Sequence, residues 1–122
     1  MEKYIDVMKQ SIELSETVLE GVIHIKKLLG EGKFEETMYL FEDVILAFST
    51  VELSITPIKE KLTNNEIDAT AMKVKEALAL AVSGYETRSR GRVLEVIQFT
   101  LVLQVKKWKE ELEKAFQLYT VS

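Results

Sequence analysis

Arg88, Arg90 and Arg92 lie within five residues and are all the arginine the chain contains; every other basic side chain is lysine. A guanidinium grips phosphate or carboxylate with two parallel hydrogen bonds, which an ammonium does not do. The segment ETRSRGR, residues 86–92, is therefore the candidate anion-binding site. The competing reading is a solvated turn whose first arginine faces the negative end of the preceding helix. Arg92 falls where a following helix starts, a place the helix dipole disfavours for a cation, which hints at another use.

Other chemistry finds little footing. His24 is the only histidine and falls among polar residues, so a surface position is expected. No Ser-His-Asp or Cys-His set is legible. Cysteine is absent, which removes thiolate metal sites, disulfides and cysteine nucleophiles. Carboxylate-bridged metal bundles use Glu-x-x-His pairs, whereas Glu20 and His24 are four apart and no second histidine exists. Glu13, Glu16, Glu20, Glu35, Glu36, Glu110, Glu111 and Glu113 fall mainly off the apolar stripes and read as solvated faces. GEGK, residues 30–33, lacks the GxxxxGK[ST] of a phosphate-binding loop. The expectation is a non-enzyme with no catalytic residue, cofactor or metal, binding or scaffolding through apolar helix faces; the alternative is a small enzyme or a ligand or anion sensor that uses an interior pocket or the Arg88–Arg92 loop.

Long helices must carry whatever these residues do. Five glycines and one proline leave few breakers in 122 residues, a length that suits one domain over residues 1–122. Residues 92–119 contain no glycine or proline and form the longest unbroken segment. Leu94, Ile97, Leu101, Val105, Trp108, Leu112, Ala115 and Tyr119 recur at steps of three and four, the mark of a helix with one apolar stripe. Helix one is predicted from Glu2 to Leu29, with Met1, Ile5, Met8, Ile12, Ser15, Leu19 and Val22 as its seam and Gly30 as its left-handed terminator. Gly21 lies off that seam and nothing in the sequence explains it. Helix two is predicted from Phe34 to Ile55, with Phe34, Met38, Phe41, Ile45, Phe48, Val51 and Ile55 inward. Thr56 and Pro57 then suit the cap and first position of a short extra helix, or a kinked continuation, ending at Asn64-Asn65. Helix three starts at Asp68 or Thr70 and carries Ile67, Ala71, Val74, Leu78, Ala81 and Tyr85. The fold class is all-α, an antiparallel up-and-down four-helix bundle.

Two helices hold more apolar residues than one core needs. Tyr39, Leu46 and Leu53 are spaced seven apart on the back of helix two, and Val96, Phe99 and Leu103 lie on the back of the last helix. Either the segment around Pro57 and nearby loops cover them, or another chain does, as a homodimer or as a protein client. These six residues are the candidate interface.

Composition limits the partners. A net charge of -4 argues against a general nucleic-acid binder. No stretch of about 18 residues is free of charge, so no membrane span is expected. The start MEKYIDVMKQ has no apolar signal-peptide region, and the lack of cysteine suits a cytoplasmic location.

With these segments laid out, the chain resembles a family of small uncharacterised helical proteins from Gram-positive bacteria. The resemblance rests on YIDVMKQS at Tyr4–Ser11, LFEDV at Leu40–Val44, and EVIQFTLV with WKEELE in the last helix. These are packing motifs and imply no activity. A weaker resemblance is to the flagellin-specific export chaperone FliS, a helical bundle of similar length, through Gly30–Phe34 and Val93–Trp108. It would imply a client-binding role, but that family's N-terminal Tyr- and polar-rich signature is not evident here.

Overall fold

A computed structural model describes residues 1–120. The ends of the expected 1–122 domain, Val121 and Ser122, lie outside the described residues. The chain is all-helical. A single 3-10 turn, Glu2–Tyr4, leads into α1 (Ile5–Gly30), followed by α2 (Phe34–Lys59) and α3 (Ile67–Glu86). The fourth long element is continuous but mixed: α4 (Arg90–Val96), a π-helical turn (Ile97–Leu101) and α5 (Val102–Thr120). Among the described residues there is no strand.

All four rods share one apolar core. Helix α1 packs along α2 and α5, and α3 packs along α4 and α5. Phe48 of α2 meets Trp108 of α5 across the centre, with ring centroids 4.7 Å apart. Phe34 and Phe41 of α2 pack on Tyr85 of α3 at 5.3 and 5.0 Å. Burying side chains of this size is worth about 1.5–3 kcal/mol each, which is what holds α2 and α3 to the rest. Polar ties add direction. Lys109 of α5 reaches Glu16 of α1 at 3.2 Å and Glu113 of its own helix at 2.7 Å. Those carboxylates, the Glu113 hydrogen bond first, raise the Lys109 pKa above its usual value, although burial acts against them.

The inward faces differ from the expected seams by about one residue in places. On α1 the buried set is Met8, Ser11, Ser15, Val18, Val22, Ile25 and Leu29, while Ile12 and Leu19 only flank it. On α2, Thr37 and Val44 are buried where Met38 and Ile45 were expected, and these two are half-buried. The small residues have a use. A Cβ added at Gly21 would stand 3.0 Å from Val44 Cγ2, so Gly21 lets α1 lie close against α2.

Helix ends also move. Gly30 is still helical, and the left-handed residue is Gly32, at φ 80°. Lys33 N–H donates to the Leu28 carbonyl at 2.9 Å and Gly32 N–H to Leu29 at 3.1 Å, the paired bonds of a Schellman ending. Of the two readings at Pro57, the structure shows a continuation and no separate short helix: α2 runs through Pro57 to Lys59. The Thr56 hydroxyl, expected to cap, instead donates back to the Glu52 carbonyl at 2.9 Å. Proline removes the bond to the carbonyl four residues back, that of Leu53, and this side of α2 is exposed so water can take it. Helix α3 begins at Ile67, ahead of the expected Asp68 or Thr70. Asn65 Oδ1 accepts the Ile67 N–H at 3.0 Å, and Glu111 Oε1 of α5 accepts the Glu66 N–H at 2.9 Å.

Candidate functional site

The arginine loop is built by the end of α3 and the start of α4. Arg88 has φ 54°, the left-handed conformation that glycine usually supplies. Ser89 N–H donates to the Gly84 carbonyl at 2.9 Å and Arg88 N–H to Tyr85 at 3.1 Å, so Arg88 occupies the glycine position of a second Schellman ending. The corner is tight: a Cβ at Gly84 would come within 2.7 Å of Val93 Cγ2.

Arg88 Nη1 donates to Glu35 Oε1 at 3.0 Å, between two well-exposed side chains. Arg88 and Arg90 line an open cleft of about 530 Å³ with Gly32, Lys33, Phe34, Glu35 and Glu36. Arg92 is exposed and is not among the residues lining that cleft. Thus two of the three arginines are brought together, but beside two carboxylates, one of which already holds Arg88. A negative ligand would have to displace Glu35 and approach Glu36.

Below this corner Tyr85 is buried against Phe34 and Phe41, and its hydroxyl lies 2.8 Å from Thr37 Oγ1. Burial pushes the Tyr85 pKa above 10.0, while the Thr37 hydrogen bond pulls it down. This pair lies in the core beneath the arginine corner. Two other buried polar atoms, Gln104 Oε1 and Trp108 Nε1, have no hydrogen-bond partner among the described residues. His24 and Glu20 are exposed on α1. Among the described residues no group of three or more His, Cys, Asp or Glu side chains is placed to hold a metal ion.

The candidate interface is largely at the surface. Tyr39, Leu46 and Leu53 are 77%, 67% and 77% exposed. Phe99 and Leu103 are 69% and 47% exposed. Val96 departs from expectation: it is 9% exposed and belongs to the core. The cause is the π turn. Val93, Ile97, Leu101, Val105, Trp108, Leu112 and Phe116 are buried at steps of four, four, four, three, four and four, wider on average than the 3.6 residues of an α-helical turn. One wide turn absorbs the surplus residue, and there both Val96 and Ile97 face inward. At the end of the helix Phe116 is in the core in place of Ala115 and Tyr119, which are half-buried.

Sequence reasoning missed other outward apolar residues. Ile23 is exposed, as are Met72, Leu80 and Leu118. Met72 and Leu80 could have been found by the exposed phase they share on α3, opposite Val74 and Leu78. No helix is long and apolar enough to cross a membrane among the described residues.

Residues 6–111 match a family described as a domain of unknown function (DUF8042). No curated protein and no solved structure matches the chain.

Proposed function

The chain belongs to the DUF8042 family, and because that description carries no activity we propose from the surface itself that the protein is a non-enzymatic binding or scaffolding module. It engages protein through outward apolar helix faces, either a second copy of itself or a client. We read its architecture as an antiparallel up-and-down bundle and its setting as the bacterial cytoplasm. Short turns between α1 and α2 and between α3 and α4 support the first, and the absence of cysteine suits the second.

The observation that carries the reading is the Tyr39, Leu46 and Leu53 row, a line of large apolar side chains along one exposed helix face. Scattered surface apolar residues are ordinary, but a seven-residue repeat on a long helix is the pattern by which one helix offers a seam to another. The alternative of an anion sensor at the arginine loop gains little, since Glu35 engages Arg88.

The test is comparative capture from the source cell with the wild-type protein and a Leu46→Glu/Phe99→Glu variant. A protein recovered reproducibly with the wild type, and lost with a variant of unchanged helicity, supports binding through these faces. Recovery of the same proteins by both, together with identical solution mass, defeats it.

A further inference from the structure

We propose that the outward faces of α2 and of the π turn with α5 are the two halves of one interface, through which copies of this chain associate head to tail. The inference rests on the reading that the apolar helix faces bind protein, and it names the partner as a second copy joined through unlike faces.

Charge distinguishes the two faces. From residue 34 to residue 58, α2 contains no lysine or arginine but holds Glu35, Glu36, Glu42, Asp43 and Glu52. Glu35 is engaged by Arg88 and Glu52 by Lys75, whereas Glu36, Glu42 and Asp43 are exposed and form no ion pair among the described residues. Glu42 and Asp43 occupy the turn between Tyr39 and Leu46. The other face has exposed Glu95 one turn before Phe99 and its basic charge at the opposite end. No charged residue occurs from residue 96 to residue 105, and Phe99 and Leu103 stand outward. One turn later come Lys106 and Lys107, both exposed and without an ion pair among the described residues.

The spacings match when the helices run in opposite directions. With Leu46 set opposite Leu103, Glu42 and Asp43 fall opposite Lys106 and Lys107, because each charged pair lies three to four residues from its leucine. In the same register Phe99 falls between Leu46 and Leu53, a knob over a hole. Pairing α2 with another α2 would bring only acids together, and pairing α5 with another α5 in parallel would oppose the lysines. Like charges across an interface are selected against, so the all-acidic α2 face cannot pair with itself and finds its complement in the lysines of the α5 face.

These faces point away from each other. The inward sides of α2 and α5 touch through Phe48 and Trp108, so the rows on their backs lie on opposite flanks of the molecule. A contact between unlike, opposed patches is heterologous and adds copies in series rather than closing as a two-fold dimer. One helix face on another is a small interface, below about 1,200 Å² in total, so the association is weak and concentration-dependent.

The test is sedimentation and light scattering of the full chain from about 10 µM to about 1 mM, the range in which small interfaces form. The mean mass of the wild type is expected to rise past that of a dimer and to fall back in about 0.5 M salt. Glu42→Lys/Asp43→Lys and Lys106→Glu/Lys107→Glu should each weaken association at least about tenfold. An equimolar mixture of the two variants should regain it, because each then offers the other a complementary pair. All four positions are exposed, and circular dichroism checks that helicity is kept; Glu42→Gln/Asp43→Asn provides a milder variant should the reversal unfold. A wild type that stays monomeric, a mass that stops at the dimer, a reversal that leaves association unchanged, or a mixture that fails to recover would each overturn the proposal. A monomeric wild type that still captures a client through Leu46 and Phe99 would sink head-to-tail association alone; loss of both would sink the binding-module reading as well.

Discussion

Arg88 sits where the backbone favours glycine, and its side chain gains only an exposed ion pair there. A left-handed residue with a Cβ costs about 1–2 kcal/mol, while a surface pair is worth about 0–1 kcal/mol. Arg88→Gly is therefore expected to stabilise the fold by about 0.5–1 kcal/mol, read as a higher urea midpoint. A lower midpoint would show that the contact with Glu35 outweighs the strain. Beneath it, Tyr85 links stability to alkaline pH. Burial raises its folded pKa above the ordinary 10.0, so the folded state prefers the neutral phenol. That contribution is complete below the unfolded value and is lost as pH rises through the folded one. Tyr85→Phe should cost about 1 kcal/mol at neutral pH by removing the bond to Thr37. Between about pH 9 and about pH 11 its midpoint should then fall less than that of the wild type. Parallel decline of both proteins would exclude Tyr85 as the source.

At the level of elements, the four long helices were legible because their apolar spacing is close to 3.6, and α3 was read residue for residue apart from Ala77 and Gly84. The faces of α1 and α2 were read slightly out of phase. Apolar side chains flank both true seams, and Ser11, Ser15 and Thr37 are small polar residues that the core accepts where their hydroxyls can bond. Ser15 donates to the Ile12 carbonyl and Thr37 to that of Phe34, both at 2.7 Å. At Pro57 the sequence left a short extra helix and a continuation both open, and α2 continues because an exposed helix side tolerates a missing hydrogen bond. Of the candidate interface, the α2 row was visible in full, but Val96 was misplaced because a 3.6-residue period cannot represent a π turn. That turn makes a sharp prediction. Deleting Gln98 removes the surplus residue and should leave a regular α-helix, with Val93 and Trp108 both still inward and the protein folded. Deleting Lys106 instead rotates Trp108, Leu112 and Phe116 by about 100° relative to α4, and should abolish cooperative unfolding. Circular dichroism melts of the two deletions decide between them; equal damage would mean that the wide turn does not set the phase.

For the molecule as a whole, core and outer faces are separate systems. The buried side of each helix is consumed by its neighbours, and the exposed rows on α2 and the fourth rod contribute little to holding the fold. Trp108 gives that separation an optical consequence. It is the sole indole in the chain, fully buried and in contact with Phe48. Its emission is therefore that of a dry chromophore, shifting to the red when the core opens to water. Binding on the backs of the helices leaves that environment untouched. Without any added label, one fluorescence spectrum distinguishes a molecule that has changed its company from one that has lost its shape.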